Sequence, residues 1–100
     1  SAFLASYYEG RKLYELQSAV NTTAAQIKRR KTRMDEIETE LTGVMANALS
    51  SDTSGEERAA LLIKTKQLAE ERVTLDDEVD ELEVKLEQRR EELEAHRARM

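Results

Sequence analysis

The chain has 100 residues, of which 37% are charged and 4% aromatic, and it contains no proline, tryptophan or cysteine. Four aromatic residues cannot fill a globular core in so polar a chain, and this composition is typical of long helices and coiled coils. The net charge of −5 argues against a dedicated binder of nucleic acid or anionic membranes, and the lack of cysteine excludes disulfides and thiolate chemistry.

All aromatic side chains lie in the first 14 residues. Four positions with helical three-four spacing form one face, and two more apolar residues lie beside it: Phe3, Tyr7, Gly10 and Tyr14, with Leu4 and Tyr8. Aromatic clusters outside a helical seam often mark contact sites for another chain. The exposed end of an excised helix, or packing against the terminus of the other arm, would also account for this cluster.

From Leu13 onward, the apolar pattern alternates steps of three and four over five heptads. The positions are Leu13, Leu16, Val20, Thr23, Ile27, Arg30, Met34, Ile37, Leu41, Val44 and Ala48. A seam this long indicates a coiled coil rather than an ordinary amphipathic helix. Thr23 and Arg30 are polar exceptions, of the kind that fix register at some cost in stability. We predict a first helix over about residues 2–49.

Turn-forming residues cluster only between Asn47 and Glu57. The short polar side chains of residues 50–54 compete with helix by bonding nearby backbone, and Gly55 has low helix propensity. Ser54 and Glu57 fit a capping box, in which each side chain takes the other's amide. The pattern therefore predicts a turn over about 50–54 and a second helix over about 55–99. A small kink in one continuous helix is the alternative.

The second arm resumes the alternation in a new heptad phase. Its seam positions are Leu61, Thr65, Leu68, Arg72, Leu75, Val79, Leu82, Leu86, Arg89, Leu93, His96 and Met100. A second stripe recurs every 11 residues along one flank, at Leu62, Val73, Val84 and Ala95. Eleven residues make about three helical turns. With the N-terminal aromatics, this stripe suggests a wider buried face than one partner helix covers.

If the two arms pair antiparallel, the numbers of any two facing residues have a constant sum. The seam residues of the two arms face each other when that sum is 109. The basic run 28–33 then lies beside the acidic run 76–81. Sliding by one heptad, to a sum of 102, would shorten the turn but set Arg30 against Arg72 in the seam, which is unfavourable for desolvated like charges. We therefore favour 109.

No motif in the chain carries enzymatic chemistry. The basic run 28–33 resembles a nucleic-acid or nuclear-localisation patch, but a charge seam between helices explains its position, and no aromatic residue is interleaved with it. His96 is the only histidine, and His96 with Glu92 is too small a set for structural zinc. No apolar run approaches the roughly 20 residues needed to span a bilayer. We expect no catalytic, cofactor or metal site.

The sequence thus predicts an all-α protein: an antiparallel two-helix coiled-coil hairpin that assembles into a four-helix bundle-like dimer. We expect a structural, protein–protein interaction module that mediates oligomerisation or docking, with a protein as partner. A chaperone-like or secretion-stalk-like hairpin that binds a client or an export ATPase is the alternative. We further expect a segment of a larger, soluble protein, with a cytoplasmic location favoured. The candidate interface residues are Phe3, Leu4, Tyr7, Tyr8, Tyr14, Leu62, Val73 and Val84.

Overall fold

Two long helices make up nearly the whole chain in the computed structural model, which describes residues 1–100. Helix α1 spans Ala2–Leu49 and helix α2 spans Gly55–Arg99. The chain reverses over residues 50–54, and the helices pack against each other as an antiparallel hairpin. The predicted all-α hairpin is confirmed, and the kinked continuous helix is excluded. Neither helix is long and apolar enough to cross a membrane.

The capping box starts helix α2 as predicted. The Glu57 amide donates to Ser54 Oγ over 3.1 Å, and the Ser54 amide lies 3.4 Å from Glu57 Oε2. Each side chain thereby satisfies a backbone donor that has no partner inside the helix. Glu56 and Glu57 also place negative charge at the positive end of the helix dipole.

The seam between the helices has the composition that the heptads predict. Every buried side chain occupies one of the predicted seam positions: Leu16, Val20, Thr23, Ile27, Ile37, Val44, Ala48, Leu68, Val79, Leu86, Leu93 and His96. Among the remaining seam positions, only Met100, at the end of the chain, is exposed. The three-four spacing therefore identified the buried stripe of both helices.

The chain forms two compact units, one nearer the turn and one nearer the termini. The turn unit comprises Arg29–Val79, and its core is built on Ile37, Val44 and Leu68, with Ile37 wholly inaccessible to solvent. Partly buried leucines pack around this core: Leu41, Leu61 and Leu75. Burying a large aliphatic side chain contributes about 1.5–3 kcal/mol, so this cluster is a main source of stability in the turn unit.

The terminal unit comprises Ser1–Lys28 and Asp80–Met100. Its buried seam includes two polar residues that find backbone acceptors. Thr23 Oγ1 donates to the carbonyl of Ala19 over 2.8 Å, and His96 Nε2 lies 3.1 Å from the Glu9 carbonyl oxygen on the opposite helix. A bond to that carbonyl requires the tautomer with a proton on Nε2. Buried hydroxyl and imidazole groups are thereby accommodated in an otherwise apolar seam.

Ion pairs in the turn unit show which residues of the two helices face each other. Arg30 Nε lies 2.8 Å from Glu78 Oε2, and Arg72 Nη2 lies 2.7 Å from Glu38 Oε1. The residue numbers in these pairs add to 108 and 110, on either side of the favoured 109 and well away from 102. The two arginines meet acidic residues and not each other, and Arg30 joins the basic run to the acidic run.

Arg33 departs from this simple pairing because its side chain reaches carboxylates nearer the turn. Its Nε and Nη2 donate to the Glu71 carboxylate over 2.9 and 3.1 Å, and its Nη1 donates to Glu40 over 3.1 Å. Glu36 lies at 3.5 Å. Hydrogen bonding to Glu71, and next to Glu40, raises the pKa of the Arg33 guanidinium above its ordinary value. The sequence placed Arg33 beside residues 76–81, five residues beyond its actual partner Glu71.

Candidate protein interaction surface

The first turns of helix α1 form a surface that the rest of the hairpin leaves uncovered. No residue before Leu13 is buried even in part. Residues 3–14, here called the aromatic segment, expose five large apolar side chains by between 50% and 78%: Phe3, Leu4, Tyr7, Tyr8 and Tyr14. Contiguous apolar exposure of this kind is uncommon on proteins without a partner and marks interaction sites.

Helical geometry gathers part of this segment into one aromatic face, made of Phe3, Tyr7, Gly10 and Tyr14. Steps of four, three and four keep these positions on one side of the helix. Tyr7 and Tyr8 are in edge-to-face contact, with ring centroids 5.4 Å apart and planes at 77°. This arrangement is favourable for aromatic pairs and limits the freedom of both rings. The Tyr7 ring of the face is therefore in contact with a neighbouring ring before any partner binds.

Gly10 lies at the centre of the aromatic face, in a shallow depression of about 630 Å³. The depression is lined by Ser6, Tyr7, Gly10, Arg11, Tyr14 and Glu15. Gly10 has no positive φ, and a Cβ added there would meet nothing within 4 Å. Glycine inside a helix costs about 1 kcal/mol relative to alanine, and nothing within the hairpin requires it here. Gly43 likewise has no positive φ and open space around its Cα, but it does not belong to an aromatic face.

A charged border runs along one edge of the aromatic face. Arg11 Nε lies 3.4 Å from Glu15 Oε1, and both side chains are more than half exposed. Hydrogen bonding to Tyr7 and then to Glu15 raises the pKa of the Arg11 guanidinium above its ordinary value. The border thus pairs one cation with one carboxylate beside the apolar face. A charged rim around an apolar centre is the usual anatomy of a protein interface.

The three flank residues of the candidate interface are also exposed, by between 57% and 62%: Leu62, Val73 and Val84. Unlike the residues of the aromatic segment, they lie 11 residues, or about three helical turns, apart. Val84 lies in a shallow depression with Asp80, Glu83, Glu87, Gln88 and Glu91. Single exposed apolar residues are normal on protein surfaces. The flank thus offers much less contiguous apolar area than the aromatic segment does.

Arg58 is an important residue that the sequence reasoning missed. Its Nε donates to the Ala48 carbonyl over 2.7 Å, and its Nη2 donates to the carbonyls of Ser50 and Thr53 over 3.3 Å each. Helix α1 has no basic residue in its own last turn, so Arg58 supplies the cation and the donors that its C-terminal carbonyls lack. An arginine directly after the capping box was the available signal.

The other residues considered for chemistry have structural partners. Arg30 and Arg33 of the basic run bind carboxylates of the hairpin, which supports a charge seam between the helices. His96 is a buried seam residue. No group of three or more histidine, aspartate or glutamate side chains could hold a metal ion.

The most coherent surface of the molecule is therefore an uncovered helical face rich in aromatic side chains. Comparison with known proteins adds no family to this description, because no protein-family model, curated protein or solved structure matches the chain.

Proposed function

We propose that this chain is a structural module for protein–protein interaction, in which the hairpin presents the aromatic segment to another polypeptide. The observation that carries the proposal is the exposure of five large apolar side chains on residues 3–14 of helix α1. Such a surface is unfavourable in water, because roughly 25 cal/mol is at stake for each Å² of apolar area. Docking or oligomerisation through this segment would remove that cost.

The hairpin itself is suited to a presenting role. Its buried residues lie on a single narrow seam, and its outer surfaces are dominated by charge. The aromatic segment continues helix α1 without interruption, so its backbone is already helical before a partner binds. A backbone that is already helical lowers the entropic cost of binding. The module is in this view a non-enzymatic scaffold.

Self-association is the form of docking that the sequence predicts, as a dimer with four helices. The exposed residues outside the seam supply apolar area for it on the aromatic segment, and to a smaller extent on the flank at Leu62, Val73 and Val84. Closed two-fold dimers are the commonest oligomers of soluble proteins. Docking to a different polypeptide through the same segment would also fulfil the proposed function.

Site-specific photo-crosslinking tests the proposal. Benzoylphenylalanine replaces Phe3 or Tyr14 in the protein made in its native cells, and Thr39, which is exposed on the same helix, is the matched control position. We expect ultraviolet-dependent adducts with a polypeptide at positions 3 and 14 and none above background at position 39. Equal yields at all three positions, or no polypeptide adduct at positions 3 and 14, would refute an interaction role for the segment.

A further inference from the structure

We infer that the aromatic segment binds the same segment of a second copy of this chain, antiparallel, about a two-fold axis between residues 8 and 9. The inference rests on the proposed function and names the partner. A two-fold contact must be self-complementary, because the same surface serves both copies. The spacing of the aromatic face meets that requirement.

Antiparallel pairing in which facing residue numbers add to 17 brings the whole face together. Phe3 faces the partner's Tyr14, and Tyr7 faces the partner's Gly10; the two-fold axis repeats both pairs. The large ring of Tyr7 then enters the depression around the partner's Gly10, where a side chain would occupy the space. Gly10, the one small residue of the face, thus receives the tyrosine ring of the other copy, and the two helices can approach closely.

Charge placement favours the same arrangement. In this register Arg11, at the edge of the aromatic face, faces the partner's Ser6, and Glu15 faces the partner's Ala2, whereas Glu9 and Lys12 lie on other sides of the helix. A parallel pairing would instead set Arg11 against its own copy and leave two glycines facing each other across a gap. Like charges brought together across an interface oppose association, so the antiparallel arrangement is preferred.

The exposed rings of the aromatic face supply the area of a weak dimer. An aromatic side chain has about 150–250 Å² of surface to bury. With the observed exposures of Phe3, Tyr7 and Tyr14, the face offers roughly 400 Å² per copy, or about 800 Å² for two, the size of weak and transient interfaces. The flank offers no comparable contact between identical surfaces, because the acidic residues around Val84 would meet their own copies.

Sedimentation equilibrium of the purified chain at micromolar concentration tests the association. We expect a dimer, and we expect Gly10→Gln to weaken dimerisation by at least about tenfold because the side chain fills the site of the partner's Tyr7. Gly43→Gln is the matched control and should leave dimerisation unchanged. Both substitutions favour helix, so circular dichroism should show both variants folded. A monomeric parent chain, or a Gly10→Gln dimer of unchanged affinity, would overturn the inference.

Disulfide trapping tests the orientation, and the absence of native cysteine makes its result unambiguous. In a mixture of Phe3→Cys and Tyr14→Cys chains, the pairing places one cysteine against the other while the opposite end keeps its Phe3–Tyr14 contact. We expect a mixed disulfide dimer and none from either variant alone. A disulfide dimer of Phe3→Cys alone would show parallel pairing and overturn the inference. If the purified chain is monomeric and photo-crosslinks to a different protein, the partner is not a second copy of this chain. That result would overturn the inference but retain the proposed function.

Discussion

The guanidinium of Arg58 donates a hydrogen bond from Nε to the carbonyl oxygen of Ala48 over 2.7 Å, so the second helix caps the end of the first. Two further bonds, to Ser50 and Thr53, hold the turn around the same side chain. Thr53 Oγ1 adds a fourth contact by donating to the Asn47 carbonyl over 2.6 Å. The turn contains no residue with positive φ, so helix α1 ends without the left-handed glycine that many helices use.

Replacing Arg58 should therefore loosen the turn. We expect Arg58→Met to lower the free energy of unfolding by about 1–2 kcal/mol, since charge-assisted hydrogen bonds to carbonyls are lost while the aliphatic stem is kept. Urea titration followed by circular dichroism measures the change. Arg58→Lys retains the charge without the planar fork and should recover only part of the loss. Equal stability of Arg58→Met and the parent chain would show that water caps the helix equally well.

Truncation of the fully buried core residue should be the most costly aliphatic change. Ile37→Ala should destabilise the chain by about 2–5 kcal/mol, because a cavity opens between helices that relax only in part. Ile63→Ala is the matched control, since Ile63 is 61% exposed, and it should change stability by less than about 0.5 kcal/mol. Thermal melts of the two variants should thus be well separated. Similar losses for both would contradict the assigned seam.

Substitution by leucine should change the stability of the hairpin in opposite directions at Arg89 and at Arg33. The Nε of Arg89 is buried without a hydrogen-bond partner, so Arg89→Leu should raise the free energy of unfolding by about 1–2 kcal/mol by filling the seam with apolar surface. Arg33→Leu should lower the melting temperature, because it leaves the carboxylates of Glu71, Glu40 and Glu36 without their shared cation. Destabilisation by Arg89→Leu would mean that the charge is compensated in solution.

Cysteine pairs distinguish the two registers of the hairpin. Met34→Cys combined with Leu75→Cys should form an intramolecular disulfide in dilute oxidising solution, because these residues face each other when facing numbers add to 109. Met34→Cys combined with Leu68→Cys corresponds to a sum of 102 and should remain reduced, since its Cα atoms would be too far apart. Mass spectrometry of alkylated protein reads both outcomes. Preferential oxidation of the second pair would establish the shifted register.

The sequence predicted the fold closely because two independent signals agreed. Three-four spacing on both arms identified the buried stripe, and the break in phase coincided with the turn residues and the Ser54–Glu57 capping box. Each of these signals is local: it depends on residues within a few turns of one another. Such local signals are reliable in this chain because no proline interrupts its helices.

The contacts that sequence reasoning missed depend on long side chains crossing between elements. Arg58 reaches carbonyls of the preceding helix, and Arg33 reaches Glu71 in place of the acidic run expected beside it. A flexible arginine can select among acceptors within one or two turns of the position it faces, and the choice depends on packing around it. The aromatic segment was predicted because its apolar residues lie on a different side of the helix from the seam. The spacing of residues within one chain does not identify the partner that binds there.

The sequence separations of the hydrogen bonds between the helices predict the order in which these contacts form during folding. Their sequence separation grows from 10 residues for Arg58 with Ala48, to 38 for Arg33 with Glu71, and to 87 for His96 with Glu9. Because loop closure costs about (3/2)RT ln n, forming the last contact directly costs about 2 kcal/mol more than forming the first. Each contact near the turn shortens the loop that remains to be closed. We therefore expect the chain to pair from the turn toward its ends, and we expect the aromatic segment to become ordered last.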